Sequence, residues 1–388
     1  MSDWETPSGL QVAVIQQLSF WHMSCIEIVR ARDEFCGHAR RPFHHGFSTM
    51  RDLRGKTICV IGGAGFIGSH VVDELLTRDV KQVIVYDNFC RGTVDNLGSA
   101  LRDPRVRIFE AGGDILQSDV LSSAIGESQC VVHLAALWLL QCHEFPRAAF
   151  DVNIRGTFNV LEACRDHGIE RLVYSSSASV YGDAVELPMT ESHPFNNRTF
   201  YGATKIAGEA MARAFLDRYG LSFAGMRYMN VYGARQDYKG TYIAVIMKIL
   251  DRLDRGLPPI LHGDGSAAYD FIYVSDCARA NVLALESEIS DEFYNVGSGT
   301  RTSLRELTEL ILEIRGSSQQ IEYQPESRVF VTNRVGCPEK AARDLGFRTT
   351  IGLREGLERL IAWRDAHMGR VQAQAAGRPI QLPSLHAA

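Results

Sequence analysis

The sequence lacks both a long apolar run and a cluster of like charges. None of its apolar stretches approaches the roughly 18 residues that a membrane-spanning helix needs, so we expect no membrane association. Lys and Arg number 41 against 46 Asp and Glu, which gives a formal net charge of −5 at pH 7. A weakly acidic chain without basic runs gives no support for binding to nucleic acid or to a membrane surface.

Paired cysteines and internal repeats are also absent. The 388 residues include nine cysteines, an odd number scattered without C-x-x-C spacing. This pattern predicts reduced thiols, a cytoplasmic protein and no metal site. With 45% hydrophobic and 22% charged residues, the chain is ample for one large α/β domain or two interlocked ones.

The N-terminal segment carries no motif. Its apolar stretch over 10–20 is interrupted by two glutamines and preceded by acids, which matches neither a secretory signal nor a transit peptide. We therefore predict that residues 1–54 form an irregular extension. Residues 1–49 are either an appended arm or a segment upstream of a natural start at Met50.

A strand, a glycine-rich turn and a helix follow one another near residue 57. Residues 57–61 read TICVI, an apolar run typical of a buried parallel strand, and apolar residues recur at helical spacing from Phe66 and Ile67 onward. Two glycine registers fit a dinucleotide fingerprint: Gly62, Gly65 and Gly68, or Gly63, Gly65 and Gly68. Such glycines permit a tight turn, close approach of a pyrophosphate to the helix N-terminus, and close packing of helix on strand.

An acid follows the second predicted strand. Asp87 lies 19 residues beyond Gly68, where a carboxylate can accept hydrogen bonds from an adenosine ribose and would repel a 2′-phosphate. This position favours NAD over NADP. Arg91 is the counter-indication, because a nearby arginine can accommodate that phosphate.

Strands and helices alternate through the first half of the chain, which predicts a doubly wound parallel (Rossmann) α/β sheet. The predicted strands are 57–61, 82–86, 105–109, 129–134, 171–175 and 223–228, and the predicted helices are 66–77, 93–101, 117–124 and 147–167. Helices at 242–255, 303–316 and 353–364 and a strand at 269–274 predict a smaller C-terminal substrate-binding α/β domain. The expected domains are 55–236 and 237–363, partly interleaved, followed by a loose tail over 364–388.

Hydroxyl groups cluster after the fifth strand and are followed by a Y-x-x-x-K pattern. Residues 174–182 read YSSSASVYG, and the helix that follows places Tyr201 and Lys205 four residues apart on one face. Together with the glycine turn, this combination predicts a catalytic pair. Asp114 and Ile115 after the third strand are either an adenine contact or a plain turn, and His133 is expected to be a packed strand residue.

With these motifs in order, the sequence resembles the extended short-chain dehydrogenase/reductase family, in its nucleotide-sugar epimerase/dehydratase branch. The resemblance covers roughly residues 55–363 and implies NAD as cofactor, a UDP-sugar as substrate and a homodimer. Ser177, Tyr201 and Lys205 would form the catalytic triad, Asn230 would contact the sugar nucleotide, and Asn153 would support the site. The implied NAD contacts are Gly62, Gly65, Phe66, Ile67, Gly68, Asp87, Asn88, Asp114, Ile115, Leu134, Ala135, Ala136, Tyr201 and Lys205.

The triad is chemically adequate for base catalysis. A tyrosine has an ordinary pKa near 10, and lowering it about three units requires roughly 4 kcal/mol of differential stabilisation. An ammonium about 4 Å from the phenolate supplies about that much at an effective dielectric near 20. We therefore expect Lys205 to lower the pKa of Tyr201, and Ser177 to donate to the same oxygen.

The resemblance also narrows the reaction. Ala178 and Ser179 stand where related dehydratases, decarboxylases and 3,5-epimerases carry an Asp-Glu pair, a glutamate or a cysteine. A 4-epimerase needs no such group. The alternatives are a dehydratase, decarboxylase or reductase of the same family, and a non-catalytic NAD sensor.

The chain departs from the family pattern at its phosphate contacts. Tyr269 replaces the arginine that usually precedes Asp270, and the later phosphate arginine is out of register at Arg328. Arg334 is the alternative anion contact. We accordingly predict Ser177, Asn230, Tyr269, Arg328 and Arg334 as the substrate-binding set.

Overall fold

The computed structural model describes residues 50–238, 244–325 and 331–375. Its strands are β1 Thr57–Ile61, β2 Gln82–Tyr86, β3 Val106–Ile108, β4 Cys130–His133, β5 Arg171–Ser177, β6 Phe223–Tyr228, β7 Asn230–Tyr232, β8 Ile260–His262, β9 Ala268–Tyr269, β10 Phe271–Tyr273, β11 Glu292–Val296, β12 Thr302–Ser303, β13 Glu322–Gln324 and β14 Asn333–Arg334. Its helices are α1 Phe66–Leu76, α2 Ser118–Gly126, α3 Leu139–Glu144, α4 Pro146–Ala149, α5 Thr157–Asp166, α6 Phe200–Tyr219, α7 Val245–Asp254, α8 Val274–Glu286, α9 Leu304–Arg315, α10 Glu339–Leu345 and α11 Leu353–Ala375.

Seven strands form one parallel sheet in the order β11-β6-β5-β4-β1-β2-β3. The apolar run of β1 is completely buried at its centre. One core cluster joins the sheet to α1 and α8, and a second joins its other face to α2, α5 and α6. The doubly wound sheet predicted from the sequence is therefore confirmed.

The direction of winding reverses beside β1. From β1 the chain moves outward through β2 to β3 and then crosses to β4 on the other side. A crevice forms at such a reversal, at the carboxyl ends of the strands, and ligands of this fold class bind there. The loops after β1, β2, β4 and β5 all reach this edge.

A smaller α/β part covers the same edge. It contains the strand pairs β10-β7 and β13-β8 and the three-stranded sheet β12-β9-β14. A third core cluster joins α7, α9 and α11 to this part. In contrast, β11 and α8 return to the main sheet, so the two parts exchange chain segments.

Two predicted helices are not regular. The predicted helix 147–167 consists of α4, a π-helical segment Phe150–Gly156, and α5. The predicted helix 93–101 is two 3-10 segments, Val94–Leu97 and Ala100–Arg102, separated at Gly98. Hydrophobic spacing does not distinguish these tighter or wider turns from an α-helix. By contrast, the predicted helix 303–316 is regular, and Ser303 caps it in a reciprocal capping box with Glu306.

The C-terminal helix is longer than predicted. The expectation of a loose tail from 364 is wrong for residues 364–375, because α11 continues to Ala375. Trp363 and His367 stack with ring centroids 5.2 Å apart, and the Tyr238 hydroxyl bonds to the His367 ring at 2.6 Å. These contacts anchor the helix beyond its predicted end, while the rest of the predicted tail lies outside the described residues.

No helix in the described ranges combines the length and apolarity that crossing a bilayer requires.

Candidate active site

A cavity of about 1120 Å³ lies at the carboxyl ends of the central strands. The loops after β1, β2, β3 and β4 line one part of it, and α6, α7 and the smaller sheets line the rest. The structure brings together every residue predicted to contact the dinucleotide. Gly62, Gly65, Phe66, Ile67, Gly68, Asp87, Asn88, Asp114, Ile115, Leu134, Ala135, Ala136, Tyr201 and Lys205 all lie on its wall.

The glycine turn has one register facing the cavity. Gly62 has a φ of 82°, and a Cβ on Gly68 would lie 2.1 Å from the Gly62 carbonyl oxygen. Gly65 lies on the cavity wall directly before α1, whose first amides have no acceptor within the helix. Gly63 instead faces β1, where a Cβ would lie 2.8 Å from the Val60 carbonyl oxygen. Gly62, Gly65 and Gly68 therefore form a cradle that fits a pyrophosphate.

Asp87 is held rigidly beside this turn. Its carboxylate accepts hydrogen bonds from the Ala64 amide at 2.9 Å and from the Phe89 amide at 2.8 Å. Burial raises the pKa of Asp87, and these amides partly offset the rise. The carboxylate lines the cavity, so its position fits the acceptor that an adenosine ribose requires.

Arg91, the residue that could have favoured NADP, contacts other side chains than Asp87. Its guanidinium donates to Asp237 at 3.1 Å and lies 5.0 Å from the centroid of the Trp138 ring. This pairing weakens the argument for NADP, because an arginine that is paired with a carboxylate is less available to bind a 2′-phosphate.

The three predicted catalytic side chains meet in the cavity. Ser177 ends β5, and its hydroxyl lies near enough to the Tyr201 phenol to lower the pKa of that phenol. Thr199 fixes the start of α6 by accepting from the Gly202 amide at 3.0 Å. The Lys205 ammonium donates to the Ser175 carbonyl at 2.7 Å and lies 5.7 Å from the centroid of the Tyr201 ring.

Burial opposes the expected ionisation of this pair. It raises the pKa of Tyr201 to about 12, although the bond from Ser177 lowers it in part. Burial also lowers the pKa of Lys205 to about 8. In the protein alone, the lysine therefore loses its proton before the phenol does. The expectation that Lys205 by itself lowers the pKa of Tyr201 is not met, because burial has the largest effect on that phenol and Lys205 is not among the groups that offset it.

Asn153 connects the catalytic helix to the loop after β4. Its side chain accepts from the Leu137 amide at 2.7 Å and donates to the Leu137 carbonyl at 2.9 Å. It also donates to the Thr204 hydroxyl at 3.1 Å on α6. Asn153 lies in the π-helical segment, which is the departure from α-helical geometry noted above. The supporting position predicted for Asn153 agrees with these bonds.

A buried ion pair beneath Ser177 was missed by the sequence analysis. Arg227 on β6 forms two hydrogen bonds with Glu209 on α6, at 2.8 and 2.7 Å. Ser176 donates to the same carboxylate at 2.5 Å. The available signal was an arginine inside an apolar strand together with a glutamate one helical turn after Lys205.

His133 is buried in β4, as predicted. Its ring bonds to the Thr157 hydroxyl at 3.1 Å and packs 5.9 Å from the Tyr174 ring, centroid to centroid. Burial lowers the pKa of His133 to about 3, which is consistent with a neutral packed side chain.

Besides Ser177, the predicted substrate residues fall into three groups. Asn230 and Arg334 line the cavity, whereas Arg328 lies outside the described residues. Tyr269 also lines it, but its hydroxyl donates to the Val331 carbonyl at 2.7 Å. The phenol proton of Tyr269 is thus already engaged, and a phosphate would have to find its donors elsewhere.

Comparison with known proteins agrees with this architecture. The NAD dependent epimerase/dehydratase family model matches residues 58–297. The chain is 38% identical over 312 residues to a putative UDP-glucose 4-epimerase of Methanocaldococcus jannaschii, covering 79% of this chain and 97% of that protein. It is 32% identical over 326 residues to a dTDP-glucose 4,6-dehydratase of Actinoplanes sp., covering 80% and 98%.

The solved structures include a UDP-glucose 4-epimerase of Thermus thermophilus in complex with NAD. That structure superimposes with a TM-score of 0.71 at 33% identity and covers 79% of this chain and 98% of its own. The fold, the glycine cradle, the Tyr201–Lys205 pair and these matches agree: the chain belongs to the NAD dependent epimerase/dehydratase family.

Proposed function

We propose that this protein is an NAD-dependent UDP-sugar 4-epimerase. The observation that carries the proposal is one cavity that joins the glycine cradle and Asp87 to the Ser177–Tyr201–Lys205 triad. The Methanocaldococcus and Thermus relatives named above as UDP-glucose 4-epimerases support uridine as the nucleotide.

The triad is suited to moving one proton at the sugar's C4 hydroxyl. Tyr201 accepts the hydroxyl proton while Ser177 donates a hydrogen bond at the reacting oxygens. NAD, held by the glycine cradle and Asp87, would supply reversible hydride transfer and a positive charge. The Tyr201 proton goes back to the C4 oxygen when the ketone is reduced on its opposite face, so that neither protons nor electrons are consumed overall.

A second acid or base beside Ser177 would favour a dehydratase, and none follows it in the loop. Ser177 is succeeded by Ala178 and Ser179, neither of which can supply an acid. The acidic side chains on the cavity wall among the described residues come from other elements: Asp87, Asp114, Asp237 and Asp251. Oxidation, rotation of the ketone and reduction need no acid or base beyond the triad, which supports epimerisation over dehydration.

The sugar nucleotide would extend from Tyr201 toward the smaller part of the molecule. Asn230 and Arg334 are our proposed substrate contacts on the cavity wall, while Tyr269 contributes its ring. For the diphosphate, Lys248 and Arg252 on α7 are further cations that line the cavity, and Arg328 stays a sequence-based candidate.

We also propose a cytoplasmic homodimer. Three exposed phenylalanines in one stretch of the chain support the dimer, because exposed apolar side chains are typical of an interface. Phe145, Phe150 and Phe158 are 53, 51 and 40% exposed. The nine cysteines, an odd number without paired spacing, support the cytoplasmic location.

The test is to incubate purified protein with a panel of UDP-sugars and separate both C4 epimers by chromatography, while following nicotinamide absorbance. An epimerase reaches the same mixture from either epimer with no added nicotinamide. Continuous consumption of added cofactor would indicate a net oxidoreductase instead, and a 4-keto-6-deoxy product would indicate a dehydratase. Tyr201→Phe is the inactive control.

A further inference from the structure

Arg334 is a cavity arginine whose charge has no hydrogen-bonded partner among the described residues. Its Nε is buried and has no hydrogen-bond partner. Across residues 50–238, 244–325 and 331–375, its guanidinium forms no hydrogen bond or ion pair. Arg334 as a whole is half-buried, and burying a polar atom without an acceptor is costly, so a ligand is the natural source of its counter-charge.

The other arginines on the wall show the contrast. Arg91 donates to Asp237 at 3.1 Å, and Arg235 lies 2.6 Å from Asp73. Arg252 donates to the Pro258 carbonyl at 2.5 Å. Each of these three arginines has an oxygen partner within the fold, whereas the side chain of Arg334 has none in the part of the chain that the structure describes.

The carboxylate of Asp183, which has an electrostatic effect on Arg334, already accepts hydrogen bonds from another residue. Asp183 accepts from the Thr332 amide at 2.6 Å and from the Thr332 hydroxyl at 3.1 Å. It forms no ion pair with Arg334 within 4.0 Å in the described residues. Burial lowers the pKa of Arg334 to about 10, with Tyr269, Asp183 and Tyr201 opposing the shift.

Arg334 lines the same cavity as the catalytic triad. It pairs with Tyr269 across the β9–β14 ladder, and both line the same cavity as Tyr201 and Ser177. Its charge is also close enough to lower the pKa of Tyr201, against the larger rise from burial. In the proposed reaction Tyr201 contacts the C4 oxygen, so Arg334 faces the part of the sugar around C4.

An anion at that place is a substituent of the ring, not the diphosphate. The diphosphate is attached at C1, on the opposite side of the hexose from C4. The carbon next to C4 bears the C6 group, which in a uronic acid is a carboxylate. A guanidinium matches a carboxylate with two parallel hydrogen bonds.

We infer that Arg334 binds a carboxylate on the sugar, and that this enzyme prefers UDP-linked uronic acids to neutral UDP-hexoses. The inference rests on the proposed 4-epimerase function, which places C4 at Tyr201. It assigns the diphosphate to other cations, of which Lys248 on α7 is an exposed one on the cavity wall.

The test is a binding titration in the Tyr201→Phe background, which holds substrate without turning it over. UDP-glucuronate and UDP-glucose are titrated by calorimetry into protein that carries NAD. We expect UDP-glucuronate to bind roughly 10- to 150-fold more tightly, as for one charge-assisted contact. Adding Arg334→Gln should remove this preference by weakening UDP-glucuronate alone, and Arg334→Lys should keep part of it.

The control is Lys248→Gln, which should leave the preference for UDP-glucuronate unchanged whatever it does to overall affinity. Equal affinities for the two sugars, or an equal loss for both with Arg334→Gln, would overturn the inference; the second result would assign Arg334 to the diphosphate. Unfolding midpoints measured for every variant separate binding effects from misfolding.

Turnover by the unmodified protein distinguishes the two proposals. Selective binding of UDP-glucuronate without interconversion of any epimers would contradict the 4-epimerase function and leave recognition of the acid intact. Efficient epimerisation of UDP-glucose with no preference for UDP-glucuronate would support the 4-epimerase function and contradict recognition of the acid by Arg334.

Discussion

The buried pair of Arg227 and Glu209 allows a sharp test of how the catalytic helix is held. Glu209 lies one turn after Lys205 on α6, and its carboxylate bonds to both Arg227 on β6 and Ser176 on β5. Both members of the pair expose only 5% of their side chains. The pair therefore joins the helix that carries Tyr201 to the strands beside Ser177.

We predict that Glu209→Gln lowers the free energy of unfolding by about 3 kcal/mol. Removing one partner of a buried pair costs about 3–5 kcal/mol, because the remaining charge is left uncompensated. We use the lower end of this range because the oxygen of the new side-chain amide can still accept one hydrogen bond. Arg227 would also keep two neutral acceptors, the Tyr181 hydroxyl at 2.8 Å and the Glu191 carbonyl at 2.9 Å.

The assay is urea unfolding at pH 7, followed by circular dichroism. The matched control is Glu355→Gln, which removes a carboxylate from an exposed pair with Arg359 and should cost less than about 0.5 kcal/mol. The double variant Glu209→Leu/Arg227→Met should be more stable than Glu209→Gln, because it leaves no unpaired charge. A loss below about 1 kcal/mol for Glu209→Gln, or a double variant no better than the single, would refute this reasoning.

Three further outcomes are expected at the site and at the N-terminus. Tyr201→Phe should lower epimerisation by at least about 100-fold, the usual scale for a lost general base, while NAD released on denaturation stays equal to wild type; near-normal epimerisation would exclude Tyr201 as the base. Asp87→Ala should lower the affinity for NAD and reduce the ratio of NAD to NADP affinity, both measured by titration. An unchanged affinity ratio would mean that Asp87 does not contact the ribose. Deletion of residues 1–49 should leave activity and the urea midpoint unchanged, because no motif precedes Met50, whereas an insoluble product would show that the segment is structural.

The sequence predicted those elements whose signals are local. Strand β1 matches its prediction at both ends, and α1 differs by one residue, because an apolar run and a glycine turn determine them directly. The interruption by the segment Phe150–Gly156 was not predictable in the same way. Asn153 in that segment bonds to Leu137 and Thr204, which only the folded chain brings near.

The same limit applies to the candidate site. The motifs identified the cavity wall around Gly62 and Tyr201, since each motif is contiguous in sequence. They did not reveal that Arg91 would pair with Asp237, or that the Tyr269 hydroxyl would bond to Val331. Those partners lie far along the chain, so no spacing rule connects them.

The ionisation of Tyr201 and Lys205 depends on depth, which their spacing does not encode. Four residues of separation place both on one face of α6, yet burial lowers the pKa of Lys205 to about 8 and raises that of Tyr201 to about 12. The bond from Lys205 to the Ser175 carbonyl survives loss of the lysine's charge, because a neutral amine still donates. Lys205 can therefore keep joining α6 to β5 at a pH where it no longer supplies a positive charge. Above about pH 8, Lys205 therefore still positions the helix but no longer supplies a charge. The sequence pattern predicts the position of Lys205 and not its charge.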